Sequence, residues 1–125
     1  MTPVFVFGSN LAGRHGKGAA LFAREEHGAI YGQAEGRQGN SYAIPTKNAG
    51  LQSLTLEQIK PYMHRFLMYV YARPEETFEF TPVDCGLAGH SVPDMWKLVN
   101  DQVDFICPNI LFTKDWLYGL TTSSE

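Results

Sequence analysis

Val4-Phe5-Val6-Phe7-Gly8-Ser9-Asn10-Leu11-Ala12-Gly13-Arg14-His15-Gly16-Lys17-Gly18-Ala19-Ala20-Leu21-Phe22-Ala23 reads as a strand, a glycine loop and the start of a helix. The apolar run after Pro3 has no polar alternation, the pattern of a strand buried on both faces of a parallel sheet. Gly8, Gly13, Gly16 and Gly18 follow it closely. From Ala19 to His27 the chain is rich in helix formers, and Gly28 closes that helix.

Downstream, a second glycine-rich stretch from Gly32 to Asn40 leads into Ser41-Tyr42-Ala43-Ile44-Pro45, a short strand that the proline should end. Thr55 has the character of an N-cap. Leu56, Ile59, Met63, Phe66, Leu67 and Val70 then recur at helical spacing toward Pro74, with Pro61 leaving the helix start open. Thr77 to Val83 reads as a strand and Asp84 to His90 as a loop. A helix starts near Ser91, with Pro93 in its first turn and Met95, Trp96 and Val99 on one side. Asp104 to Pro108 is the candidate last strand, and Thr121 to Glu125 a polar tail. The order β-α-β-α-β-α-β predicts an α/β domain over residues 1–120, with a mostly parallel sheet and helices on its faces; 121–125 form the tail.

The composition suits this reading. A chain of 125 residues with 44% hydrophobic and 13% aromatic residues can bury one core unaided. Its longest apolar runs, such as Phe66 to Ala72, fall far short of the roughly 20 residues a membrane span needs. With no basic leader followed by an apolar run, a cytoplasmic location is expected. Cys85 and Cys107 read as buried thiols of a reducing compartment; Cys85 has a second reading as a nucleophile with His90 or His15 as base. No Cys-x-x-Cys or paired-His spacing exists, so no metal is expected, and no cofactor. A net charge of −3, with most acidic residues in the second half, argues against a nucleic-acid footprint.

Glycines beside a helix start let main-chain N–H groups approach an anion, and the helix N-terminus adds about half a positive charge. Gly13 to Ala20 has this character, although a strand–helix turn can also need glycines for geometry alone. A Walker A loop is excluded because Arg14 and His15 stand after Gly8-x-x-x-x-Gly13. A dinucleotide fingerprint from Gly16 fails at Leu21. Asp84-Cys85-Gly86-Leu87-Ala88-Gly89 is a second strand–loop–helix turn at the same expected sheet edge. The pair suggests two backbone cradles around one diphosphate. Asn10 suits a ribose hydroxyl or a turn. His15 and Lys17 suit phosphate contact or proton transfer, and Arg14 suits either or simply faces solvent. Thr46 and Lys47 bring a hydroxyl and a cation to another strand end. Tyr42 either stacks on a base or packs, and Trp116 and Tyr118 read as core or lid.

The run from Val4 to Ala20 resembles the first glycine loop of the macrodomain family, in a compact bacterial and phage branch. Ser41-Tyr42-Ala43-Ile44-Pro45-Thr46-Lys47 and Asp84-Cys85-Gly86-Leu87-Ala88-Gly89-His90 resemble that branch too. The resemblance implies a three-layer α/β/α fold that binds ADP-ribose; some members also remove it from proteins, nucleic acid or O-acetyl esters. Asn10 would stand near the distal ribose, with Gly16, Lys17, Gly18 and Ala19 against that ribose and the diphosphate. Gly86, Leu87, Ala88 and Gly89 would form the second phosphate loop. Gly8, Ser9, Gly13, Thr46 and Asp84 complete the expected ligand set, and Asn10 and His15 are the expected catalytic pair. This chain is shorter than a usual macrodomain and has His15-Gly16-Lys17-Gly18 where three glycines often run. The acidic residue that can hold adenine has no clear match besides Asp84 or Glu35. The competing expectation is a non-enzymatic accessory protein that sequesters a nucleotide signal or binds a host protein.

Overall fold

A computed structural model describes residues 2–86, 89–102 and 107–122. Among them the elements run β1 (Val4–Asn10), α1 (Gly18–Glu26), β2 (Gly36–Gln38), β3 (Ser41–Lys47), α2 (Leu56–Tyr71), β4 (Phe78–Phe80), α3 (Val92–Asn100), β5 (Ile110–Phe112) and α4 (Lys114–Thr122). The sheet order among the described residues is β2-β3-β1-β4-β5; β2 pairs antiparallel with β3, and the pairs β1–β3, β1–β4 and β4–β5 are parallel. The fold is α/β with a mostly parallel sheet, as the sequence order implies.

Alternation along β1 divides the core. Val4 and Val6 join Tyr42, Ile44, Phe78, Phe80 and Ile110 on one face, under Ile59, Met63 and Phe66 of α2, Met95 of α3 and Trp116 of α4. Phe5, Phe7 and Ala43 face the other way, against Ala20 and Ala23 of α1. Helices therefore cover both faces, giving three layers.

Local chemistry sets the element ends. The Thr55 hydroxyl accepts from the Gln58 amide, and the Gln58 side chain accepts from the Thr55 amide, so a full capping box starts α2. Pro61 lies inside this helix and removes the donor that Glu57 would receive. Burial of Ile59, Met63, Phe66, Leu67 and Val70, each worth about 1.5–3 kcal/mol, outweighs that loss. At the other end Asn109 Nδ2 lies 3.0–3.1 Å from the carbonyls of Val70, Arg73 and Glu76. α3 begins as expected, with Ser91 Oγ accepting from Asp94 N at 3.2 Å.

Several elements depart from the sequence reading. β3 continues through Pro45 to Lys47, because β2 pairs only as far as Ala43 and leaves that side of β3 open at the proline. β2 itself was hidden in a glycine-rich stretch. Of the candidate strand Asp104 to Pro108, residues 104–106 lie outside the described residues, while Cys107 and Pro108 precede the strand found at Ile110–Phe112. The chain after it forms α4, which runs into the segment expected as a polar tail; 123–125 lie outside the described residues.

Connectivity creates a special place beside β1. β3 and β4 flank it, both parallel to it. The chain leaves β1 toward α1 on one face and leaves β4 toward α3 on the other. Adjacent parallel strands whose following segments part to opposite faces form a topological switch point, where a crevice opens beyond the carboxyl ends.

Tyr42 yields a test of the core. It is buried between Phe66 and Tyr69, each ring 5.1 Å away. Burial, then the charge of Glu35, pushes its hydroxyl up to about 12. An unfolded tyrosine ionises near 10, so the stability Tyr42 provides is intact below about pH 10 and is lost as pH rises toward 12. Urea midpoints measured from pH 9 to 12 should fall over that window, and more shallowly in Tyr42→Phe.

Candidate functional site at the carboxyl edge of the sheet

Three chain segments meet at Gly8. A Cβ there would lie 3.0 Å from Thr46 Oγ1, 3.4 Å from Val83 Cβ and 3.7 Å from the Asp84 amide. The ends of β1 and β3 and the loop after β4 are therefore in contact, which brings Gly8, Thr46 and Asp84 together. Ser9 is buried; its hydroxyl donates to the Ala34 carbonyl at 2.5 Å.

Asn10 organises its own loop. Its Oδ1 accepts from the amides of Ala12 at 3.1 Å and Arg14 at 3.0 Å, while Nδ2 donates to the Arg14 carbonyl at 2.9 Å. Such local bonds are the reason asparagine suits turns. Gly13, at φ +69°, then packs on Gly32, whose amide donates to the Gly13 carbonyl at 2.8 Å. Arg14 reaches the Ala49 carbonyl, tying this loop to the turn after β3.

His15 is wholly buried. Its Nε2 lies 3.1 Å from both the Gln33 carbonyl and Gln38 Oε1, and its ring stands edge-on to Phe7. Both neighbours are acceptors, because Gln38 Nε2 donates to the Gln33 carbonyl and Gln38 Oε1 accepts from the Ile30 amide. Nε2 therefore faces two acceptors as a donor, and Nδ1 is left buried with no partner among the described residues. In this arrangement His15 locks the glycine loop onto β2 and exposes no basic nitrogen.

The next residues are open. Gly16, Lys17, Gly18 and Ala19 are exposed, and a Cβ at Gly16 would meet nothing within 4 Å. α1 has no side-chain cap at Lys17 and no acidic residue in its first turn, unlike α2 and α3. The first three amides of a helix have no partner within it. At α1 no side chain takes their place.

The second loop is built around Asp84. Its backbone takes φ +55°, its carbonyl accepts from His90 N at 2.8 Å, and Gly89 packs so close that a Cβ would overlap that carbonyl. The Asp84 carboxylate is 1% exposed; Oδ1 lies 2.5 Å from Lys47 Nζ, and Oδ2 is buried with no partner among the described residues. Gly86 is exposed; Leu87 and Ala88 lie outside the described residues. The Cys85 thiol is pushed up to about 11 by burial, with Asp84 and Asp94 adding to it, so little thiolate is present at neutral pH.

Lys47 is the residue that the expected ligand set left out. The run Thr46-Lys47 contains it, but only the fold pairs it with Asp84. Arg14, Lys17 and Lys47 stand against the single carboxylate of Asp84 on these loops, an excess of positive charge suited to an anion. Among the described residues no group of three or more His, Cys, Asp or Glu could hold a metal, and no helix is long and apolar enough to cross a membrane. Two grooves indent the surface, one between α2 and α3, lined by Leu56, Glu57, Asp94 and Leu98, and one beside α4.

Comparison with protein-family models, with curated proteins and with solved structures gave no match.

Proposed function

We propose that the protein binds ADP-ribose or a related nucleotide diphosphate in the switch-point crevice, with the diphosphate on the amides of Gly16 to Ala20 and the Gly86–Gly89 loop opposite. The observation that carries this reading is the uncapped start of α1 at the place where the two loops part. Lys47 and Lys17 supply charge. The Asn10 side chain bonds to its own loop, and His15 is wholly buried with Nε2 held by the protein. The reading is therefore recognition or sequestration of the nucleotide rather than hydrolysis, and Asn10 contributes by shaping the loop.

Calorimetric titration with ADP-ribose, with ADP as comparison, tests it. Gly16→Val places a branched side chain in open space over the amides, so it should weaken binding at least about tenfold, or 1.4 kcal/mol, while changing stability by no more than about 0.5 kcal/mol. No heat with millimolar ADP-ribose, or equal binding by Gly16→Val, would refute the proposal.

A further inference from the structure

β5 and α4 carry an apolar surface that the crevice does not use. β5 is the last strand of the sheet order, and its three residues, Ile110, Leu111 and Phe112, include no charge. Leu111 is 44% exposed and Phe112 40%; on α4, Leu117 is 68% exposed and Tyr118 72%. Beside them runs a groove of about 400 Å³ walled chiefly by Trp96, Phe112, Trp116, Leu117 and Leu120. An apolar edge strand of this kind is a template for association unless it is covered.

We propose that this surface is the two-fold interface of a homodimer, in which Leu117 and Tyr118 of each copy enter the aromatic groove of the other. Two observations select a second copy as the occupant. Projecting side chains and the hollow that could receive them lie on one patch, which is the requirement of an isologous contact: what residue i offers, residue j of the same surface accepts. The area also fits. Taking about 200 Å² for a fully exposed large side chain, the four exposed residues present about 450 Å² per copy. A stable interface needs about 800 Å² per partner, a little over half of it apolar. The exposed neighbours Lys114 and Asp115 supply polar rim of opposite signs, so two copies meet without net repulsion.

Sedimentation equilibrium on the intact chain, from about 1 μM to about 1 mM, tests this without any nucleotide. The expected result is a monomer–dimer equilibrium. Leu117→Asp and Tyr118→Asp should each weaken it at least about 30-fold, the size of a hot-spot loss, with far-UV circular dichroism unchanged. Phe22→Asp, an exposed site on α1 on the opposite face of the sheet, should leave it intact. A monomer at every concentration overturns the proposal. So does a dimer that survives both α4 substitutions, or one that Phe22→Asp abolishes.

Discussion

Trp116→Ala should lower the free energy of unfolding by about 3–5 kcal/mol, a large share of the 5–15 kcal/mol typical of a domain. Trp116 is 2% exposed and stands where three elements meet. Its ring lies 5.2 Å from Phe80 of β4, 5.5 Å from Trp96 of α3 and 5.8 Å from Phe112 of β5. Its Nε1 donates to the Phe80 carbonyl at 2.7 Å. Truncation removes the apolar contact and opens a cavity that fixed strands cannot close. The Phe80 carbonyl keeps the Thr113 amide at 3.1 Å, so the loss comes from packing more than from an orphaned acceptor. Urea denaturation should show the midpoint falling with little change in slope. A loss below about 1 kcal/mol would mean that α4 does not pack as described.

Gly13→Ala should cost about 3 kcal/mol or more, although it adds one methyl group. The backbone there has φ +69°, which is about 1–2 kcal/mol unfavourable for an L side chain. The new Cβ would also lie 2.5 Å from the Gly32 carbonyl carbon and 2.7 Å from its oxygen. Backbone cannot swing aside as a flexible side chain can, so the contact between the first loop and Gly32 must open, with the 2.8 Å Gly32–Gly13 hydrogen bond. Gly16→Ala, three residues on, meets no neighbour and should shift stability by no more than about 0.5 kcal/mol. Thermal denaturation of the two variants side by side reads the contrast directly. Equal effects would show that the loop glycines do not divide into one that packs and one that stays open.

That division was not legible in the sequence, where Gly13 and Gly16 look alike. The strand–loop–helix unit was, because unbroken apolar residues, clustered glycines and helix formers each depend on neighbours a few positions away. Elements decided by distant partners were harder. β2 is three residues that pair only because β3 lies beside them, and Pro45 looked like a strand end because the open edge next to it is a tertiary fact. α2 survives Pro61 through a capping box and a buried face together. At the site, the sequence named both loops, yet Lys47 and Asp84 are 37 positions apart and only the sheet joins them. His15 carried the strongest chemical suggestion of the first loop. Its burial depends on Gln38 of β2, the strand that the sequence concealed.

The most direct test of the two-loop crevice is an amide ¹H–¹⁵N correlation spectrum recorded during titration with ADP-ribose. The Gly16, Lys17 and Gly18 amides should shift together with those of Gly86 and Gly89, along one binding curve, while signals from α4 stay in place. Shifts confined to one loop, or strongest in the α2–α3 groove, would contradict it.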